Sequence, residues 1–336
     1  MKILGIETSC DETAAAVVED GRKILTNVVA SSVELHQKTG GIIPEVAARE
    51  QLKYIIPVVE EAIKKNHQDI EAIAVTTGPG LIGSLLVGVE TAKTLAYAWQ
   101  KPLIPINHLQ AHLYANWLKK GEEPKFPAIG LVVSGGHTDL VLMKNHQQIK
   151  WLGGTRDDAA GECFDKCSRL LGLGYPGGPA IAATAAKYIK HRTENKVKLP
   201  RPMIREDNFD FSFSGLKTAV LNRVKEQENK RVKINISEMA YEIQEAITDV
   251  LVAKTKKAAE KYQIKSILLA GGVTANPRLR EKITKAFLDY DLFIPQPQLC
   301  TDNATFVAAC AYFNFHPVSF SKIQADSSLE IEEVIK

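Results

Sequence analysis

Two stretches of this 336-residue chain repeat the same plan, and that repeat limits the fold more than any single motif does. Residues 2–30 run as an apolar strand (Ile3 to Ile6), a polar loop (Thr8 to Thr13), a second strand (Ala14 to Val18), a turn at Asp20-Gly21 and a third strand (Ile24 to Val29). Residues 128–152 do the same, through Ala128 to Val133, Ser134-Gly-Gly-His-Thr-Asp139, Leu140 to Met143, a turn near Asn145 and Ile149 to Leu152. Short apolar runs split by glycine and polar residues read as antiparallel strands. A strand–loop–strand unit that recurs after roughly 125 residues predicts two similar α/β domains facing each other across a central cleft. Helical spacing follows each unit, at 44–65, 81–100 and 108–119 in the first half and at 159–171, 180–191 and 236–262 in the second. Ile267 to Ala270 reads as a further buried strand, ahead of a basic helix.

A hydrophobic content of 45% supports substantial cores for about two domains. The cysteines, at 10, 163, 167, 300 and 310, include no Cys-x-x-Cys, and Cys163 with Cys167 reads as one turn of a helix in an intracellular protein with reduced thiols. An acid at Glu7 interrupts the N-terminus before a signal-peptide core could form, and no run of about 20 apolar residues follows. A cytoplasmic protein with no membrane association is expected. The net charge of +3 is too small to attract nucleic acid globally, so a polyanion would need a local patch. The stretch holding Lys187, Lys190, Arg192, Lys196, Lys198, Arg201 and Arg205 against the single acid Glu194 fits either a solvated loop or a phosphate-contacting surface.

Chemistry concentrates in a few motifs. His108 and His112 stand four residues apart, which puts two imidazoles on one helix face where both can ligate one metal ion. The same pair fits one packed and one solvated histidine. Leu109 stands where the zinc proteases of the His-Glu-x-x-His type carry their general base, which argues against a metalloprotease. Asp302, in the polar tetrad Cys300-Thr-Asp-Asn303 before an apolar run, is the candidate third ligand or a helix N-cap. Gly78-Pro-Gly-Leu-Ile-Gly83 matches the dinucleotide fingerprint formally, but no acid lies between Thr91 and Gly121 to bind a ribose, so it reads as a tight turn. Ser134-Gly135-Gly136, Pro176-Gly-Gly-Pro179 and Gly271-Gly272 offer bare backbone to a phosphate, a ribose or an adenine. Singly each is a turn. Together, within a two-domain repeat, they resemble the nucleotide loops of the actin, Hsp70 and sugar-kinase superfamily, whose two domains are ribonuclease-H-like.

A narrower resemblance runs along nearly the whole chain. Ile6-Glu-Thr-Ser-Cys-Asp-Glu-Thr13, Gly40-Gly-Ile-Ile-Pro-Glu45, Thr77-Gly-Pro-Gly-Leu-Ile-Gly83, His108-x-x-x-His112, Ser134-Gly-Gly-His-Thr138, Asp157-Asp-Ala-Ala-Gly-Glu162, Phe164-Asp-Lys166, Tyr175-Pro-Gly-Gly-Pro179, Phe211-Ser-Phe-Ser-Gly-Leu-Lys217, Ala270-Gly-Gly-Val-Thr-Ala-Asn276 and Cys300-Thr-Asp-Asn303 resemble the motifs of the TsaD family. These are the tRNA N6-adenosine threonylcarbamoyltransferases, once described as glycoproteases. The resemblance implies transfer of a threonylcarbamoyl group from threonylcarbamoyl-AMP to N6 of the adenosine 3′ of the anticodon, position 37, in tRNAs that read codons beginning with adenine. A non-catalytic nucleotide-binding scaffold of the same fold is the alternative.

Carried over, the resemblance makes His108, His112 and Asp302 the ligands of one divalent metal ion, iron or zinc, in an open site at strand and helix ends. It places the adenylate on Val132, Val133, Ser134, Gly135, Gly136, Asp165, Gly178 and Asn276. Asp165 reads otherwise as an ion-pair partner on a helix, and Asn276 as an N-cap. Some family members carry an aspartate where this chain has Ala182, so that position is left out. Asp11 and Glu12, paired carboxylates in the first hairpin loop, are the catalytic candidates, with Asp11 taking or orienting the amine proton; local capping is the competing role. Lys217 reads as a phosphate contact or an exposed loop lysine. The implied domains are 1–127 with 295–336, carrying the histidines, and 128–294, carrying the adenylate loops. With no kinase-like extension after residue 336, the chain resembles the bacterial type, which implies TsaB and the ATPase TsaE as partners beside tRNA. Apolar residues on the helix from Pro44 to Lys65 are the candidate interface with TsaB.

Overall fold

The computed structural model describes residues 1–64, 67–118, 121–190 and 197–333. They form two compact units, one of Met1–Pro124, Lys144–Ile149 and Pro295–Lys336, the other of Lys125–Met143 and Lys150–Ile294.

The first unit is built on a five-stranded sheet in the order β3-β2-β1-β4-β5. Its strands are β1 (Lys2–Glu7), β2 (Glu12–Glu19), β3 (Lys23–Ser31), β4 (Ala72–Gly78) and β5 (Leu103–Asn107). The first three form an antiparallel meander, and β4 and β5 add in parallel beside β1. Helices α1 (Val33–Thr39), α2 (Pro44–Ile63) and α3 (Ile82–Trp99) follow the meander and β4, and α2 and α3 bury one stripe against Leu4, Ile6, Ile73 and Val75. Strand β5 passes without a loop into α4 (His108–Tyr114), because the Asn107 side chain accepts the amide protons of Leu109 and Gln110 and so starts the helix at its first residue.

The second unit repeats the order as β8-β7-β6-β9-β10. Its strands are β6 (Ala128–Val133), β7 (Thr138–Asn145), β8 (Gln148–Gly154), β9 (Ser266–Ala270) and β10 (Asp291–Phe293). Here β6 and β7 are antiparallel, while β9 pairs in parallel with β6 and with β10. Five helices accompany the sheet: α5 (Ala160–Leu170), α6 (Gly177–Lys190), α7 (Ser214–Asn229), α8 (Ile236–Tyr262) and α9 (Pro277–Ala286). The chain then returns to the first unit with α10 (Thr305–Phe313). A Cβ on Gly5 would lie 2.3 Å from the Ala304 carbonyl oxygen, so glycine in β1 is what lets the start of α10 press onto the sheet. No described helix is long and apolar enough to cross a membrane.

Candidate metal centre and nucleotide loops

The i, i+4 spacing on α4 brings His108 and His112 together, with Nε2 atoms 3.2 Å apart and both rings buried. Close seating of α10 delivers Asp302 to the same point. Its Oδ1 lies 3.2 Å from His112 Nε2 and 3.8 Å from His108 Nε2. Donors at about 2.1 Å from one tetrahedral ion stand about 3.4 Å from each other, so these three span one face of such a shell. Two imidazoles and a carboxylate suit zinc or iron(II). Phe306 packs its ring 4.5 Å from that of His112, which closes the apolar side of the site. The site is less open than the motifs implied: His108 is 6% exposed and His112 1%, and only Asp302, at 19%, reaches the edge.

Behind His108 stands a fully buried acid, Glu7, at the end of β1. Its Oε2 lies 3.0 Å from His108 Nδ1 and accepts the Thr76 hydroxyl at 2.6 Å, while Oε1 accepts the Ser9 amide at 2.6 Å. Burial alone would pull the His108 imidazolium pKa down, yet the Glu7 and Asp302 carboxylates outweigh it and raise the value from 6.5 to about 9. The reciprocal pull of His108 holds Glu7 below the usual carboxylate range despite its burial. His112 differs: burial and the His108 cation lower its pKa, and its buried Nδ1 has no hydrogen-bond partner.

Asp11 and Glu12 lie at the start of β2, on the loop that leads away from Glu7. That loop is clamped through its backbone. Gln51 of α2 donates to the carbonyls of Cys10 (3.1 Å) and Glu12 (3.0 Å), Ser84 of α3 to Cys10 (3.0 Å), and Ser32 to Asp11 (2.8 Å). Burial, then the carboxylates of Asp302 and Asp11, push Glu12 well above the usual carboxylate range, which favours its neutral form.

The adenylate candidates all belong to the second unit. Val132 and Val133 end β6, and the turn after them closes with the Ser134 amide donating to the His137 carbonyl at 2.9 Å. A Cβ on Gly135, Gly136, Gly178 or Gly272 would meet nothing within 4 Å, so these glycines are not spacers for internal packing and leave backbone open to an approaching ligand. Gly271 is the opposite case: its φ is +90° and a Cβ would sit 2.4 Å from the Val133 carbonyl oxygen, so glycine here holds the β9 turn against β6. Asp165 Oδ1 accepts the Gly177 amide at 2.6 Å and so ties α5 to the N-terminus of α6, next to Gly178. Asn276 caps α9, accepting from Arg278 (2.9 Å) and Leu279 (3.1 Å), and its Nδ2 donates to Gln244. Its carboxamide oxygen is therefore committed to the helix.

Residues 23–309 match the family model described as TsaD, tRNA N6-adenosine threonylcarbamoyltransferase. The chain belongs to the TsaD family. The relative so named from Syntrophomonas wolfei is 50% identical over 330 residues, covering 97% of this chain and 96% of that protein. The Bacillus subtilis relative is 48% identical over 321 residues, covering 94% and 91%. Membership of the TsaD family makes this chain a transferase of tRNA threonylcarbamoyladenosine modification. Among solved structures, HypF from T. kodakarensis superposes with a TM-score of 0.61 at 14% identity, over 93% of this chain and 47% of that one. Component A of (R)-2-hydroxyglutaryl-CoA dehydratase from Acidaminococcus fermentans does so with a TM-score of 0.53 at 16% identity, over 93% and 98%. These likenesses concern the fold, which is of the actin and Hsp70 type.

Two readings of basic residues in this TsaD-family chain change with the structure, and one acid gains a role. Lys217 is neither on a loop nor free for phosphate: it lies on the first turn of α7 and pairs with Asp158 at 3.1 Å, which Lys166 also holds at 2.7 Å. Arg201 is committed to Glu242 and Asp249 of α8, leaving Lys187, Lys198 and Arg205 as exposed members of the basic stretch. The Lys190 side chain, Arg192, Glu194 and Lys196 lie outside the described residues. Finally, Asp157 caps α7 from a distance, accepting from the Phe213 amide (2.8 Å) and the Ser212 and Ser214 hydroxyls (both 2.6 Å). Burial raises its pKa, but these hydrogen bonds prevail and hold it below 3.8. Asp157→Ala is expected to lower stability by about 1–2 kcal/mol in urea unfolding at neutral pH. Because the folded pKa is the lower one, the difference should be present above the unfolded value and vanish as the pH falls through the folded value. A variant as stable as the wild type at pH 7 would refute the capping role.

Proposed function

We propose that this enzyme transfers the threonylcarbamoyl group from threonylcarbamoyl-AMP to N6 of adenosine 37, 3′ of the anticodon, in tRNAs reading codons that begin with adenine. The observation that carries this is the joint presence of the His108–His112–Asp302 cluster and the open glycine loops in a TsaD-family chain. An exocyclic adenine amine is a weak nucleophile, so AMP serves as the leaving group and most of the acceleration comes from positioning and electrostatics. Val132 to Gly136, Gly178 and Asp165 hold the adenylate, and Asn276 acts through the start of α9, with at most its amide protons offered to the nucleoside. His108, His112 and Asp302 would hold one divalent ion, iron or zinc, which when bound would supply Lewis acidity toward a carbonyl or carboxyl oxygen. Asp11 takes or orients the amine proton, and Glu12, held toward its neutral form, stays beside it as a hydrogen-bonding partner. Residues 1–127 with 295–336 thus carry the metal ligands and proton acceptor, and 128–294 the adenylate.

A cytoplasmic location follows from tRNA as substrate, and TsaB and TsaE are the proposed partners. Leu52 and Ile56 of α2 and Leu86 of α3 stand 65%, 50% and 46% exposed on adjoining helices, a surface of the kind a helical partner such as TsaB would cover. The function is tested by incubating the chain with ATP, threonine, bicarbonate, the adenylate-forming enzyme and its partners, using a tRNA reading an adenine-first codon and one that does not. Mass spectrometry of digested nucleosides should find threonylcarbamoyl on adenosine in the first tRNA alone. Unmodified adenosine in both would overturn the reading.

A further inference from the structure

We infer that Glu7, fully buried between Ser9, Thr76 and His108, is a positioning residue that fixes the tautomer of His108 and so makes its Nε2 a metal ligand. The inference rests on the proposed role of His108, His112 and Asp302 as ligands.

The geometry leaves Glu7 little freedom. Oε1 is taken by a backbone amide, which can only donate, and Oε2 faces both a hydroxyl and His108 Nδ1. An ionised carboxylate only accepts, so His108 must present a proton at Nδ1. The second ring nitrogen, the one that faces His112 and Asp302, then keeps its lone pair for a metal ion. A histidine packed without such a partner has no reason to carry its proton on Nδ1, and free imidazole side chains favour the Nε2–H form. His112 makes the contrast inside the same site, since its Nδ1 is buried and unpartnered. Carboxylate, imidazole and ion in sequence are a recurring support of metal sites, and loss of the outer carboxylate typically weakens metal binding about 10- to 100-fold.

Glu7→Gln tests this sharply, because the amide cannot satisfy every neighbour. The Ser9 amide needs an acceptor, so the new carbonyl oxygen must replace Oε1, and the NH2 group must then face Thr76 and His108. The Thr76 hydroxyl can rotate to accept. His108 Nδ1 then faces that NH2 group at the shorter distance and the Ser9 hydroxyl at 3.3 Å, which can rotate to donate, so Nδ1 accepts and the imidazole proton moves to Nε2, where it points at the ligand position.

Full-length wild-type and Glu7→Gln proteins, stripped with a chelator, are titrated with zinc ion in competition with a coloured indicator. An affinity about 10- to 100-fold weaker in the variant is expected, and an affinity within twofold of the wild type overturns the inference. Asp302→Ala runs in parallel: if it binds zinc as the wild type does, the ligand assignment itself fails, whereas loss in Asp302→Ala with retention in Glu7→Gln sinks the role of Glu7 alone. Histidine-selective 15N spectra supply a readout that needs no variant. In zinc-free wild-type protein at alkaline pH, neutral His108 should keep its proton on Nδ1, and an Nε2–H signal refutes the inference even if Glu7→Gln does not fold.

Discussion

Purified Asp302→Ala and His108→Ala proteins are both expected to lose bound metal and threonylcarbamoyl transfer, yet to differ clearly in stability. Each removes one of three donors that lie within 4.8 Å of one another, and a site left with two protein ligands cannot hold an ion through purification. The stability difference comes from what stays behind. Asp302 sits at the edge of the site, so water can replace it. His108 is the buried partner of a buried carboxylate, and its loss strands Glu7 with only a hydroxyl and an amide. Breaking a buried ion pair on one side costs about 3–5 kcal/mol, a large share of the 5–15 kcal/mol that typically holds a domain together. An open site would let His108 be removed at little cost to the fold, but at 6% exposure the ring is packed inside it. Urea unfolding of the chelator-stripped proteins should rank wild type and Asp302→Ala together, with His108→Ala well below, and adding Glu7→Gln to His108→Ala should restore part of the loss. Normal metal content in His108→Ala would eliminate the ligand set, and equal unfolding midpoints would eliminate the buried pair.

Periodicity read the longest elements well: α8 spans Ile236–Tyr262 as its spacing predicts, and both three-stranded meanders fall where the repeat puts them. What stayed illegible depended on distant neighbours. Strand β5 contains Pro105, which argues against a strand in any local reading, but β5 is the edge of its sheet and an edge tolerates proline. Helix α7 opens with Ser214-Gly215, a poor start for a helix, and its stabilising cap is Asp157 on another segment. The same division applies to the metal cluster. Two histidines four apart are visible in seven residues of sequence, because one helix supplies both. Glu7 is 101 residues from His108 in the chain, and the only local trace of its role is an acid ending a strand that is otherwise apolar and fully buried after Lys2. A buried carboxylate demands a partner, so that trace says a partner exists without saying which.

Asp11→Asn is expected to slow transfer by about 100- to 10,000-fold, the usual range for loss of a positioned base, while leaving threonylcarbamoyl-AMP binding and the fold unchanged. The fold should survive because the loop around Asp11 is held by its main chain. Ser32 bonds the Asp11 carbonyl, and Gln51 and Ser84 bond the carbonyls on either side, so none of those contacts needs the carboxylate. The adenylate should still bind because its proposed loops belong to the other unit. What the substitution removes is the proposed proton acceptor, a carboxylate 8% exposed to solvent, next to a glutamate whose neutral form is favoured by burial and by the carboxylates of Asp302 and Asp11. That asymmetry gives the companion variant: Glu12→Gln mimics a neutral acid and should cost no more than about tenfold, so the two substitutions separate acceptor from partner. Single-turnover transfer from preformed threonylcarbamoyl-AMP to tRNA is the measurement, with adenylate affinity determined on the same proteins. A wild-type rate or a mere twofold loss in Asp11→Asn would make Asp11 a structural loop acid. An equal large loss in Glu12→Gln would move the acceptor to Glu12.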